Sequence, residues 1–161
     1  SLLASFAGIA VYISFRYDGR YAVLALVALA HDVLIVCGVF AWLGLLVQLE
    51  VDSLFAVALL TIAGYSVNDT VVVFDRIRER RRQDSSLPLS LQVDQAVSAT
   101  LTRTLYTSGT TLLPLLALIL FGGATLYWFA VALALGVVVG SWSSIALAPS
   151  LLSVWDRSGE A

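Results

Sequence analysis

Three clusters of polar residues sit inside runs that are otherwise apolar, and any chemistry of this chain belongs to them. The first is Gly64-Tyr65-Ser66-Val67-Asn68-Asp69-Thr70. Asp69 lies ~22 Å past Leu54 at helical rise, within an apolar layer about 30 Å thick. Tyr65 and Ser66 are one turn earlier and share its side of the helix. The second is His31-Asp32, with His31 ~15 Å past Tyr21. Adjacent helical residues point about 100° apart, so one of this pair is placed for the bundle and the other for a cavity. The third is a hydroxyl-rich stretch around one cation: Thr100, Thr102, Arg103, Thr104, Thr107, Ser108, Thr110 and Thr111. An ionisable group at mid-bilayer costs roughly 2.5–3.5 kcal/mol and usually faces the bundle interior. The chemistry such groups can do is proton handling or charge pairing. His31, Asp32, Tyr65, Ser66, Asn68, Asp69 and Arg103 are therefore the candidate proton pathway. His31 is the only histidine and Cys37 the only cysteine, and no nucleophile, phosphate-loop or zinc motif is present. No metal, no cofactor and no enzymatic reaction are expected.

Structural readings stand beside each of these. A buried Asp69 could brace neighbouring helices, and Arg103 could extend its head to the interface. Pro114 loosens or kinks its helix. Gly64 lacks a side chain and would admit a neighbouring helix. Gly136 and Gly140, with Ser141, Ser143 and Ser144, form a face of small residues. Gly64, Gly136, Gly140 and Ser144 are the expected packing positions.

These residues need a membrane bundle to hold them. Of the 161 residues 60% are hydrophobic and 12% charged, too few polar groups to cover a soluble domain or bind nucleic acid. The expected fold is all-α, a polytopic transmembrane bundle forming a single domain over 1–161. Five spans are predicted at about 1–15, 21–47, 54–74, 105–121 and 125–152. The chain opens at Ser1 inside an apolar stretch without a basic leader, which reads as a piece of a longer polypeptide. All nine basic residues are arginines. Arg16 and Arg20 precede span two, Arg76 to Arg103 separate spans three and four, and Arg157 follows span five. The two remaining connections carry none. The positive-inside rule places the Arg-bearing connections in the cytoplasm, with the N-terminus outward and the C-terminus inward. The connection 76–104 is expected to hold a surface helix. Its apolar stripe would be Val93, Val97, Leu101 and Leu105, running into span four. The Arg76–Arg82 run is a topology anchor and lipid contact.

The string from Gly64 to Glu79, GYSVNDTVVVFDRIRE, resembles the SecF family, the smaller subunit of the SecDF protein-export complex. Ala30-His31-Asp32-Val33, Arg103-Thr104-Leu105-Tyr106-Thr107-Ser108, Phe121-Gly122-Gly123 and Gly140-Ser141-Trp142-Ser143-Ser144 are similar to further SecF segments, in order. Asp94, Ala99 and Tyr106 depart from the family's usual residues. The resemblance implies an RND-like architecture in the bacterial inner membrane and a first span and periplasmic domain upstream of this chain. It also implies a function: assisting export through a SecYEG-type translocon with the proton-motive force, alongside a SecD-like subunit, on preproteins gripped by that external domain. Asp69 and Arg103 match positions that the family uses for proton passage. Two other readings compete: a structural membrane subunit without proton coupling, and an RND-like small-molecule exporter module.

Overall fold

The computed structural model describes residues 2–83 and 86–158. Ser1 and the side chain of Arg157 lie outside the described residues. Six α-helices follow in order: α1 (Leu2–Arg16), α2 (Gly19–Val47), α3 (Ser53–Gln83), α4 (Leu89–Phe121), α5 (Gly123–Trp142) and α6 (Ala148–Ser158). A π turn (Ser143–Leu147) joins the last two, and no strand occurs among the described residues. The runs α2, α3, α4 and Gly123–Trp155 are long and apolar enough to cross a membrane, whereas α1 is shorter. The chain is a multi-pass helical membrane protein.

Local chemistry sets the boundaries. Asp18 and Gln48 flank α2, and Gln48 takes a left-handed conformation (φ 54°) that ends the helix. Asp52 caps α3: its Oδ1 accepts the backbone N–H of Leu54 at 2.9 Å and of Phe55 at 3.3 Å. Pro88, which has no N–H to extend the helix backward, stands just before α4, and its carbonyl accepts the N–H groups of Leu91 and Gln92 at 3.1 and 3.2 Å. Gly123, at φ 74°, makes the tight passage from α4 to α5 that a side chain would strain.

Two helices outrun the expected spans. α3 continues through the charged stretch to Gln83, because Arg, Glu and Gln are good helix formers and the terminal arginines suit the helix dipole. The helix expected to run into span four forms the first half of α4, which continues unbroken from Leu89 to Phe121. No Gly or Pro intervenes before Gly109, and Pro114 lies inside the helix without ending it. The expected apolar stripe is also corrected. Val93 is buried, but Leu101 and Leu105 are exposed, and the buried side of α4 is Gln92, Ala96, Thr100, Thr104 and Ser108. Both lines repeat every four residues but stand one residue apart, about 100° around the helix, so the side that buries Thr100, Thr104 and Ser108 leaves Leu101 and Leu105 facing out. In lipid, outward is the favourable direction for leucine.

The Arg-bearing end is tied by aromatic and ionic contacts. Tyr21 and Tyr17 pack edge-on against Phe74, with ring centroids 5.3 and 6.5 Å apart. Arg16 and Arg78 lie over the Tyr17 ring at 5.1 and 5.6 Å. Arg16 also pairs with Asp75 at 2.9 Å. Burial and the Asp75 carboxylate push the Tyr17 hydroxyl well above the usual phenol range, so it serves as a neutral donor to the Val71 carbonyl at 3.1 Å. At the opposite end Phe40 packs on Phe55 and Trp128.

Candidate functional site

The bundle has two apolar cores with a polar layer between them. One core, toward the Arg-bearing end, includes Ala25, Leu29, Val67, Phe74, Val93 and Ala148. The other includes Val36, Phe40, Leu59, Ile62, Leu115 and Val137. Asp32 on α2, Ser108 on α4 and Ser141 and Ser143 on the last span fall between these two sets, Ser66 on α3 lies just inside the first, and all are buried. Polar side chains of four membrane helices thus meet near one depth, where they bond to each other and to carbonyls of their own helices.

Asp32 is the hub of this layer and is fully buried. Its Oδ2 accepts the hydroxyls of Ser66 at 2.5 Å and Ser143 at 2.7 Å. Its Oδ1 lies 2.9 Å from His31 Nδ1. His31 itself is half-buried at the bundle edge, 6.1 Å from the Trp142 ring centroid. The 100° divergence of neighbours thus sends Asp32 inward and His31 to the rim, yet their side chains still touch. A second set runs from Tyr65, whose hydroxyl donates to Ser108 at 3.2 Å, to a Ser108–Ser141 hydroxyl pair at 2.5 Å. Tyr65 and Ser66 therefore serve different neighbours: Tyr65 reaches α4, while Ser66 reaches α2.

Asp69 is one turn from Ser66 and only 4% exposed, and its Oδ2 is buried without a hydrogen-bond partner. Arg103 is exposed and lines a cavity of about 370 Å³ between α3 and α4 with Val72, Asp75, Arg76, Glu79 and Thr100. Among the described residues no hydrogen bond or ion pair joins Arg103 to Asp69. Val72, one turn on from Asp69, lines the same cavity.

Two expected site residues are elsewhere. Asn68 is exposed and outside the polar layer, because one residue's rotation from buried Asp69 carries it to the outer side of α3. Gly64 shares that side by its four-residue spacing. A Cβ there would meet nothing within 4 Å, so it mediates no close approach in this bundle. The close approaches are at Gly136, where a Cβ would overlap Ile62, and at Gly140, where it would lie 3.3 Å from Ser66 Cβ and 3.6 Å from Asp32 Oδ2. Ser144 is fully buried and donates to the Ser141 carbonyl at 2.9 Å. Ser143 was legible only as one of a small-residue face, with no signal of its contact to Asp32. The i, i+4 repeat of Thr100, Thr104 and Ser108 was the available sign that α4 turns its polar side inward. Replacing Gly140 with Leu should push Ser66 off Asp32 and reduce assembly of the bundle. A Gly140→Leu protein that purifies and melts like the parent would place that face toward lipid.

The site and fold define a class: a polytopic helical membrane protein with carboxylates buried between helices. A family model for "Protein export membrane protein SecD/SecF, C-terminal" matches residues 1–158. The chain belongs to this SecD/SecF C-terminal family. It is 73% identical over 154 residues to the protein translocase subunit SecF of Prochlorococcus marinus, a match covering 96% of this chain and 48% of that protein. A crystal structure of SecDF in a super-membrane-facing form superposes with TM-score 0.88 at 42% identity, covering 96% of this chain and 21% of that one. A crystal structure of SecDF from Thermus thermophilus, described as a translocon-associated membrane protein, gives 0.87 at 44% identity, covering 92% and 20%. The chain thus spans about half the length of its SecF relative.

Proposed function

We propose that this chain is the membrane part of an auxiliary, non-enzymatic subunit that assists protein translocation and draws on the proton-motive force. Kinship with translocase subunits supports the export role. The occurrence of SecD and SecF in one chain in SecDF supports a SecD-like partner. The Sec translocon and its preproteins follow as the further partners. The observation that carries proton coupling is the buried Asp69 carboxylate with an oxygen that nothing in the bundle uses. A carboxyl group isolated in hydrocarbon favours its neutral form, and a guanidinium beside it favours the anion. Asp69 lies one turn before Val72, which lines the α3–α4 cavity with Arg103, and Asp69 and Arg103 do not pair in this conformation. Their approach in a second conformation makes proton uptake conditional on structure, which is what coupling needs. One charge moved through 100 mV supplies about 2.3 kcal/mol. Asp32, His31, Ser66 and Tyr65 form the polar route toward Asp69. The deciding experiment is gradient-driven export in Asp69→Asn, Arg103→Met and the double mutant.

The orientation proposed with this reading is an inner-membrane protein with its Arg-bearing end in the cytoplasm. Cysteine placed at Glu50 should then react with an impermeant thiol reagent from outside, and cysteine at Arg80 should not. The reverse pattern would invert the topology.

A further inference from the structure

The last span is not one regular helix. After α5 the chain makes a single π turn, in which the Ala148 N–H donates to the Ser143 carbonyl five residues back. The cause lies one residue further on. Pro149 has no N–H, and its ring crowds the carbonyl of Ile145, so an α register cannot continue through this segment. α5 and α6 are therefore joined where the backbone ladder is weakest.

A side chain from another helix holds that joint. Ser143, the first residue of the π turn, is fully buried, and its one hydroxyl proton is placed for Asp32 Oδ2 at 2.7 Å or the Gly140 carbonyl at 3.1 Å. The same Asp32 oxygen takes the Ser66 hydroxyl. Asp32 thus ties the turn to α2 and α3 together. On its other side the joint borders open space. A cavity of about 520 Å³ separates the first half of α4, at Asp94 and Ser98, from Ile145 in the π turn and Pro149 and Ser150 beyond it. A joint with a missing backbone bond, one buried latch and room to move has the parts of a hinge.

We propose that the π turn is a hinge in the last span, latched by the Ser143–Asp32 hydrogen bond, and that its release swings α6 away from α4 and widens the cleft between them. The proposal stands on the geometry of α2, α3 and the last span, so a protein that does not couple to protons would still show it. It gives Asp32 a mechanical role distinct from carrying a proton.

The test places spin labels at Asp94→Cys and Ser150→Cys, both exposed, in a Cys37→Ala background of the membrane-reconstituted protein, and reads the distance across the cleft. The parent should give one narrow distribution. Ser143→Ala removes the latch, and a longer distance should appear with the open-to-closed ratio raised about tenfold, the scale of one hydrogen bond to a carboxylate. Asp32→Leu keeps a similar branched side-chain shape but removes both acceptor oxygens, and should open the cleft likewise if Ser143→Ala proves hard to assemble. Adding Pro149→Ala to Ser143→Ala restores an N–H at the joint and should narrow the distribution again. A parent-like distribution in Ser143→Ala or in Asp32→Leu overturns the latch. A double variant that stays open overturns the hinge.

Discussion

Asp69→Asn is expected to abolish most of the gradient-dependent part of export while the protein still assembles. The two side chains are isosteric, and Oδ2 of Asp69 accepts no hydrogen bond in the bundle, so packing gives no reason for the amide to fail. What the amide cannot do is take up and release a proton. A carboxylate that only braced its helix would tolerate the change, which makes this substitution discriminating. Arg103→Met removes one positive charge from the α3–α4 cavity while keeping much of the stem's apolar bulk, and should lose a comparable share. If the two residues act in one step, their effects are coupled and do not add. The double mutant should then be no worse than the poorer single. Preprotein uptake into vesicles, with the proton gradient imposed or collapsed, measures this. Full gradient dependence in Asp69→Asn would end the proton-coupled reading, whatever the family.

Gly136→Leu should cost the bundle its stability more than any other glycine substitution on the last span. A Cβ alone at Gly136 already overlaps the Ile62 side chain, and Ile62 is 1% exposed in the core toward the end opposite the arginines. Ile62 is β-branched and cannot swing aside freely. Overpacking of this kind costs about 1–3 kcal/mol, and leucine belongs at the upper end. The milder Gly136→Ala should be partly rescued by Ile62→Ala, since the two occupy one space, whereas Gly64→Ala should leave bundle stability near the parent's. Thermal unfolding in detergent measures all four. Equal melting of Gly136→Leu and the parent would mean that α3 and α5 do not approach as described.

The all-α bundle was legible because composition and the length of apolar runs are properties of the chain itself. A peptide that enters lipid must pair its backbone internally, so roughly 20 apolar residues dictate a helix wherever they stand. The presence of polar clusters at Asp32, Asp69 and Arg103 was legible for the same reason, since a charged residue in such a run stands out against its neighbours. Which of them meet was not. Ser143 lies 111 residues from Asp32 and Ser66 lies 34 away, and nothing local in either segment records the distant partner. Helix rotation about its own axis is likewise a tertiary outcome. It placed Asn68 and Gly64 on the outer side of α3 while Ser66 and Asp69 turned inward. It also turned Thr100 and Thr104 of α4 to the core and Leu101 and Leu105 out. The periodicity that marks a helix reports spacing but not which face is inner, and in lipid the apolar face carries no inward drive. Only packing of all the helices together, with every buried hydroxyl and carboxylate seeking a partner, decides that Asp32 and not Asp69 sits at the centre of the polar layer.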